Sequence, residues 1–526
     1  MLFRSNAKFV VVDPYRTGTA EQADLHLMPR PGTDGALACA VMHVLFKEGF
    51  ADRAYLARYT DCPDALEAHL ASRDPAWAEG VSGVPAASIV EFARLYGRTP
   101  RAYLRMGWGF SRQRNGVANV HAVSCLPAIT GAWQHRGGGA HWAYSIYRLN
   151  KSAIEGVALG PSAARAMDQS RIGAALTGEA DELKGGPPVA AMLIQNTNPA
   201  VVCPNTNKVR RGLMRDDLFV CVHDQFMTET AALADIVLPA TMFMEHNDYY
   251  TASGHSHLQF GPKIVEPPGE ARSNHDVICA LAQRLGLKGP EFASSDLDLV
   301  DRTLKASGYD GATDLRGRRW RDMAPDFGAA HCLDGFPTPD GRFHFAPDWS
   351  KYGPHHDRMP RLPDHLAIIE QPDAEHPFRL VTAPARSFLN STFNQTPTSR
   401  ARERSPRALI HPHDLARLGI ADGAPIEVGN RRGQIALRAE RQQRIGRGVD
   451  DGVDRVRPDG ADNGKRTQDV ALHERHLVEG NDLSDGFRLG GVIHEHGFLA
   501  VLDENAGDLR ADEAGADDEG GHAPVS

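Results

Sequence analysis

The sequence is short of cysteine, of aromatic residues, of surplus positive charge and of long apolar runs, and each shortage removes a class of protein. Its seven cysteines (Cys39, Cys62, Cys125, Cys203, Cys221, Cys279 and Cys332) include no C-x-x-C pair, so the chain encodes neither a zinc knuckle nor an iron–sulfur loop. No apolar stretch approaches the ~18 residues that a membrane-spanning helix needs. The opening MLFRSNAKFVVVDP has no signal-peptide architecture. With 58 Lys and Arg against 67 Asp and Glu the net charge is −9, a surface with no excess of cations to replace the counterions on a phosphate backbone. A nucleic-acid partner is therefore not expected. There is no G-x-G-x-x-G between strand and helix, no G-x-x-x-x-G-K-[ST], no H-E-x-x-H and no G-x-S-x-G. A standard dinucleotide dehydrogenase, P-loop enzyme, zincin or α/β-hydrolase is thereby disfavoured.

What remains is a 526-residue globular composition, 41% apolar and 24% charged, long enough for two or three domains. KFVVVD (8–13) reads as a buried parallel strand, Leu25–Met28 as a second, and ALACAVMHVLFK (36–47) as a helix. Residues 54–98 read as helices. RAYLRMGWGF then puts a strand before a glycine-bearing loop, and VANVHAVSCLPAITGAW a small-residue helix before QHRGGGAHW. A second unit begins near Val189: VAAMLIQNTNPAV and DLFVCVHDQF are strands with loops, TETAALA a helix, DIVLPA a strand and SNHDVICALAQRLGL a helix. This alternation predicts an α/β fold of parallel sheets, with function at the carboxyl ends of the strands. PTPDGRFHF reads as a hairpin. From Phe378 short strands joined by Asp-Gly and Arg-Gly turns predict a small β-barrel. The domains are then 1–150, 187–330 and 375–440. Residues 441–526, with only Phe487 and Phe498 as aromatics, form an atypical acidic tail read as largely disordered or frameshifted.

Five strand ends, VVDPYRTGTA, PRPGTDG, MGWGF, QNTNP and VHDQFMTET, each place Asp, Asn, Thr or glycine amides at the mouth of a parallel sheet. That chemistry suits polar recognition of a large nucleotide-like ligand. Each also has a plain reading as a cap or turn. The histidine pairs His255/His257, His355/His356 and His411/His413 lie in polar loops without the carboxylate or thiol pattern of a metal site.

Taken in order, AKFVVVDPYRTGTAEQADLHLMPRPGTDGALA, MGWGFSRQRNG with TGAWQHRGGGAHW, QNTNPA, VHDQFMTETAALADIVLPATMFMEHND, and VTAPARSFLNSTFNQ with IHPHDLARLGIADGAPIEVGNRRG resemble the molybdopterin oxidoreductases of the dimethyl sulfoxide reductase superfamily over roughly residues 7–438. The resemblance implies Rossmann-like domains and a β-barrel holding molybdopterin guanine dinucleotide with molybdenum or tungsten. It implies that Asp13, Gly32, Thr33 and Asp34 contact one guanosine, and that Met106 and Gly107 let the backbone approach the cofactor. Asn198, His223, Asp224 and Thr228 would make the matching contacts in the other half, with Ala383, Arg386, Asn390 and Ser391 closing over the pterins and Arg386 on a phosphate.

The implied activity is two-electron redox or oxygen-atom transfer on a small-molecule substrate, with an electron-transfer subunit as partner. A non-redox hydratase or hydroxyl transferase, and a non-catalytic cofactor-binding fragment, stay open. The chain also departs from the pattern. The 4Fe-4S loop and the metal-ligating residue of the family belong upstream of VVDP, so no catalytic residue or metal ligand is named. Tyr15 stands where an Arg is common. A cytoplasmic and a periplasmic location are equally compatible.

Overall fold

A computed structural model describes residues 7–142, 149–155, 164–252, 254–352, 356–369, 372–382, 385, 387–430, 433–442 and 498–502. The chain forms two compact units. The first contains residues up to His141 together with His331–Ile368 and the strand Phe498–Leu502, and the second contains Trp142–Ala330 and the described residues between 369 and 442.

In the first unit the strand Lys8–Val12 pairs in parallel with Leu25–Leu27, and Tyr103–Met106 pairs in parallel with Gly139–His141. Between these pairs runs Phe498–Leu502, antiparallel to both neighbours, so the sheet is mixed where alternation predicted a purely parallel one. These five residues of the acidic tail are thus part of a sheet.

The helix Asp34–Lys47 is buried on nearly all sides, as expected for a helix of small and apolar residues without a polar face. It packs against the helices Pro75–Ser82, Ala86–Gly97 and Gly116–Ile129. Phe92, Tyr96, Leu37, Met42 and Leu45 are fully enclosed there. Of the three glycines 137–139, Gly137 is left-handed (φ +84°) and the other two have a packing cause. A Cβ at Gly138 would lie 2.2 Å from the Ala132 carbonyl oxygen, and Gly139, at φ +100°, would meet the Trp133 ring at 2.6 Å. PTPDGRFHF forms a turn closed by the Phe336 amide on the Gly341 carbonyl, without the two-strand ladder of a hairpin.

The second unit contains the parallel sheet Ala191–Gln195, Phe219–Asp224 and Ile236–Pro239. Ile194, Val220 and Val222 point into a core shared with the helix Thr206–Leu213, whose Gly212 lies against Leu176. A three-stranded antiparallel sheet follows (Asp248–Tyr250, His257–Gly261, Trp320–Asp322). Near the end, Gly433–Arg441 pairs in parallel with Arg407–Ile410 and antiparallel with Pro425–Asn430. These three strands form an open sheet, so no closed barrel is present among the described residues. FRLVTAP, read as its first strand, is not a strand over its described residues. No described helix is long and apolar enough to cross a membrane.

Candidate cofactor-binding sites

Strand Lys8–Val12 ends in Asp13, which is 2% exposed. Its carboxylate accepts from the Tyr15 amide at 2.8 Å, its own amide donates to the Leu27 carbonyl at 3.0 Å, and its carbonyl accepts from His26 Nε2 at 2.9 Å. That contact fixes the His26 tautomer, since a carbonyl can only accept. Burial, and secondarily the nearby Arg16, keep the His26 ring below its usual pKa despite this hydrogen bond.

One strand later, the chain turns through Gly32 (φ +77°) and Thr33 into the helix that Asp34 begins. Thr33 is the N-cap residue, yet its hydroxyl donates to the Arg30 carbonyl at 2.6 Å and caps nothing. The Arg30 guanidinium is spent on the Gly80 and Val81 carbonyls. Asp34 is fully enclosed, and its Oδ1 has no hydrogen-bond partner among the described residues. Burial, with a further push from Asp13, raises its carboxyl to about 7, although its own backbone amide acts the other way. Two enclosed acids therefore stand at this sheet mouth, and Oδ1 of Asp34 is an unspent acceptor.

The segment that holds this turn was not legible in the sequence. Asn115 Nδ2 donates to the Gly32 carbonyl at 2.7 Å and to the Leu366 carbonyl at 2.9 Å. Asn119 Oδ1 accepts from the Gly35 amide at 3.1 Å, and its Nδ2 donates to Asn115 Oδ1 at 3.2 Å. Asp364 is gripped by Arg73 through two bonds of 2.9 and 2.8 Å. Burial opposes ionisation of Asp364, but Arg73 and the His365 amide outweigh it and hold the carboxyl below its usual range. Met106 ends its strand in the buried interior, and the Arg105 guanidinium donates to its carbonyl. Gly107 is extended (φ −85°), a conformation open to any residue, and leads into a 3-10 turn that exposes half of Trp108.

In the second unit Asp224 ends the middle strand and accepts from the Phe226 amide at 3.1 Å. Thr228 accepts from the Ala231 amide at 3.2 Å. TETAALA, read as a helix, is only a three-residue 3-10 turn at Ala231–Leu233: the backbone is already extended at Ala234, and the Asp235 amide bonds to the Val220 carbonyl of the neighbouring strand. His223 is completely buried; its Nε2 donates to the Arg272 carbonyl at 3.1 Å and its Nδ1 accepts from Gln195 at 3.1 Å. Asn198 is likewise committed. Its oxygen accepts from the Thr230 amide (3.1 Å) and hydroxyl (2.6 Å), and its nitrogen donates to Glu229 at 2.7 Å. Both side chains brace the strand ends from inside the protein. Asn390 (φ +54°) and Ser391 are the central residues of a tight turn closed by the Thr392 amide on the Leu389 carbonyl, whereas Ala383 and Arg386 lie outside the described residues.

The two sheet mouths repeat one another, which the sequence reading missed. Asp13, Thr17, Thr19, Ala20, Ala23, Asp24 and Leu27 recur at identical spacing as Asp224, Thr228, Thr230, Ala231, Ala234, Asp235 and Leu238. The hydrogen bonds recur with them. Thr17 accepts from Ala20 as Thr228 does from Ala231. Asp24 accepts from the Phe9 amide at 2.9 Å as Asp235 does from the Val220 amide at 2.7 Å, and each Asp amide returns the bond to the same residue's carbonyl. A search for D-x-[YF]-x-T-x-T-A-x-x-A-D within the chain would have found it.

Comparison with known proteins follows this geometry. The family model described as Molybdopterin oxidoreductase matches residues 1–284, and that described as Molydopterin dinucleotide binding domain matches residues 378–449. The probable oxidoreductase YoaE of Bacillus subtilis is 36% identical over 459 residues, covering 85% of this chain and 65% of its own length. The dimethyl sulfoxide/trimethylamine N-oxide reductase of Rhodobacter capsulatus is 30% identical over 84% of this chain and 60% of its own length. The F420-dependent formate dehydrogenase subunit alpha of Methanocaldococcus jannaschii is 28% identical over 84% and 67% respectively. The chain thus spans 60 to 67% of the length of these relatives. Among solved structures it is similar to acetylene hydratase from Pelobacter acetylenicus, with a TM-score of 0.64 and 23% identity over 82% of this chain and 64% of that one. That likeness concerns the fold alone.

Proposed function

The chain belongs to the molybdopterin oxidoreductase family, and from that premise we propose that it is the cofactor-holding part of a molybdopterin-dependent oxidoreductase catalytic subunit. The observation that carries the reading is the enclosed acid Asp34, with its unspent Oδ1, beside Asp13. Guanine presents its N1–H and 2-amino hydrogens along one edge, and an ionised carboxylate accepts both. A phosphate fits the same spot poorly: it would meet like charge, and the Gly35 amide that a helix N-terminus offers to anions is already held by Asn119. The turn at Asp34 therefore suits the base end of a guanine dinucleotide, and the pyrophosphate belongs elsewhere.

By the internal repeat, Asp224 and Thr228 mark the equivalent sheet mouth for a second dinucleotide, with His223 and Asn198 positioning it. Asn390 and Ser391, with Ala383 and Arg386, are assigned to the pterin ends, and the sheet Arg407–Arg441 to part of a small barrel. Met106 and Gly107 are assigned to backbone contact. When bound, the pterin-held molybdenum or tungsten would supply two-electron redox or oxygen-atom transfer on a small molecule. The chain's own share is to bind, orient and shield the cofactor. A 4Fe-4S cluster and an electron-transfer subunit complete the proposal, in keeping with a relative that is itself named a subunit alpha.

The test is metal and pterin content of the chain purified from a host supplied with molybdate or tungstate. Oxidised pterin fluorescence together with molybdenum or tungsten is expected. A folded chain that carries no pterin would overturn the reading.

A further inference from the structure

Asn115 and Asn119 are spent in a way that ordinary helix chemistry does not explain. Asn115 is the N-cap of the helix Gly116–Ile129, where its side chain would normally accept from a first-turn amide and contribute about 1 kcal/mol. It makes no such bond and instead donates to the Gly32 and Leu366 carbonyls. Asn119, one turn on, accepts from the Gly35 amide, doing for the helix Asp34–Lys47 what that helix's own N-cap Thr33 does not. Both side chains are essentially without exposure. The contact is tight enough to dictate the sequence: a Cβ on Gly35 would stand 2.8 Å from Asn119 Oδ1 and 3.0 Å from the Asp364 carbonyl oxygen. Gly35 is there for close approach, since its φ, unlike that of Gly32, is not left-handed.

We propose that Asn115 and Asn119 are positioning residues for guanine recognition, locking the turn Gly32–Gly35 to the segment Pro363–Leu366 so that the Asp34 carboxylate is held enclosed and aimed at the base. This inference rests on the reading of Asp34 as the guanine acceptor. The acceptor must keep an oxygen free of water and of further donors from its own turn, and enclosure of that kind is what raises its carboxyl to about 7. Asn119 secures it by taking the Gly35 amide, and Asn115 by keeping the segment 363–366 in place. The other titratable groups packed around this turn are Asp13, His26 on the neighbouring strand, and Asp364 with Arg73, His69 and His365.

The test is calorimetric binding of GMP to the cofactor-free full-length chain between pH 5 and 8, at a temperature well below unfolding. Wild type should bind more tightly as the pH rises to about 7, where Asp34 ionises. Asn119→Leu should weaken binding by about ten-fold or more, and should move the pH midpoint downward toward the ordinary carboxylate range as water reaches Asp34. A role in stability alone would lower the melting temperature and leave both affinity and midpoint unmoved, and that result overturns the proposal. Gly35→Ala retains Asn119 but pushes it away, and should give the same two changes; wild-type binding by that variant also overturns it. Absence of GMP binding by wild type would reject the Asp34 reading and this inference together. Loss in Asp34→Asn with retention in Asn119→Leu and Gly35→Ala rejects this inference alone.

Discussion

Asp34 occupies the first position of a helix, where the dipole favours an anion, yet burial and the neighbouring Asp13 push its carboxyl up to about 7. Desolvation therefore wins over the dipole. The consequence for stability has a definite sign. A carboxyl raised on folding contributes stability that is whole below the ordinary carboxylate pKa and is lost as the pH climbs through about 7. Asp34→Asn should accordingly melt higher than wild type at pH 8, by on the order of 2–4 kcal/mol, and the two should converge near pH ~4. Thermal melts across that range check it; a variant less stable than wild type at pH 8 would show that the acid is paid for by a partner. His223 offers a second residue-scale prediction. With no exposure and both nitrogens bonded, His223→Ala should cost about 3 kcal/mol or more by leaving the Arg272 carbonyl and the Gln195 amide unpaired in a cavity, readable in urea denaturation.

At the scale of elements, the aspartates Asp24 and Asp235 each clip a strand to the turn that follows it. Asp24→Ala and Asp235→Ala should each cost about 1 kcal/mol, with similar losses because the bonds repeat. Unequal losses beyond about 1 kcal/mol would argue against equivalent turns. Gly139→Ala, which drives a Cβ into the Trp133 ring, should cost about 1–3 kcal/mol through overpacking and strained backbone. The alternating strands and helices were legible because Phe9–Val12, Ala191–Ile194 and Phe219–Val222 are apolar runs of strand length that lead into turn residues. TETAALA was misread because its alanines favour helix while its threonines spend their side chains on the backbone amides. Phe498–Leu502 is also an apolar run of strand length, lost in the polar composition around it, and its place in the sheet was not legible because its partners lie near residues 10 and 104. Asn115, Asn119 and Asp364 were invisible for the same reason: their contacts join segments far apart in the chain, and nothing in NGVANV announces an amide donated to Gly32.

At the scale of the whole molecule, the two units carry one strand-end turn twice, Asp13–Leu27 and Asp224–Leu238, each at the carboxyl end of a parallel pair of strands. The family supplies the cofactor class, and on the proposed function each of the two turns stands at the mouth that serves one guanine end. The most direct measurement is the amount of GMP released by acid hydrolysis from the cofactor-loaded chain, compared among wild type, Asp34→Asn and Asp224→Asn. The account predicts about two GMP per wild-type chain and about one in each variant, because Asp34 is the proposed acceptor of the first unit and Asp224, the counterpart of Asp13, stands at the proposed mouth of the second. Wild-type content in Asp34→Asn, or a folded wild-type chain that releases none, would contradict it.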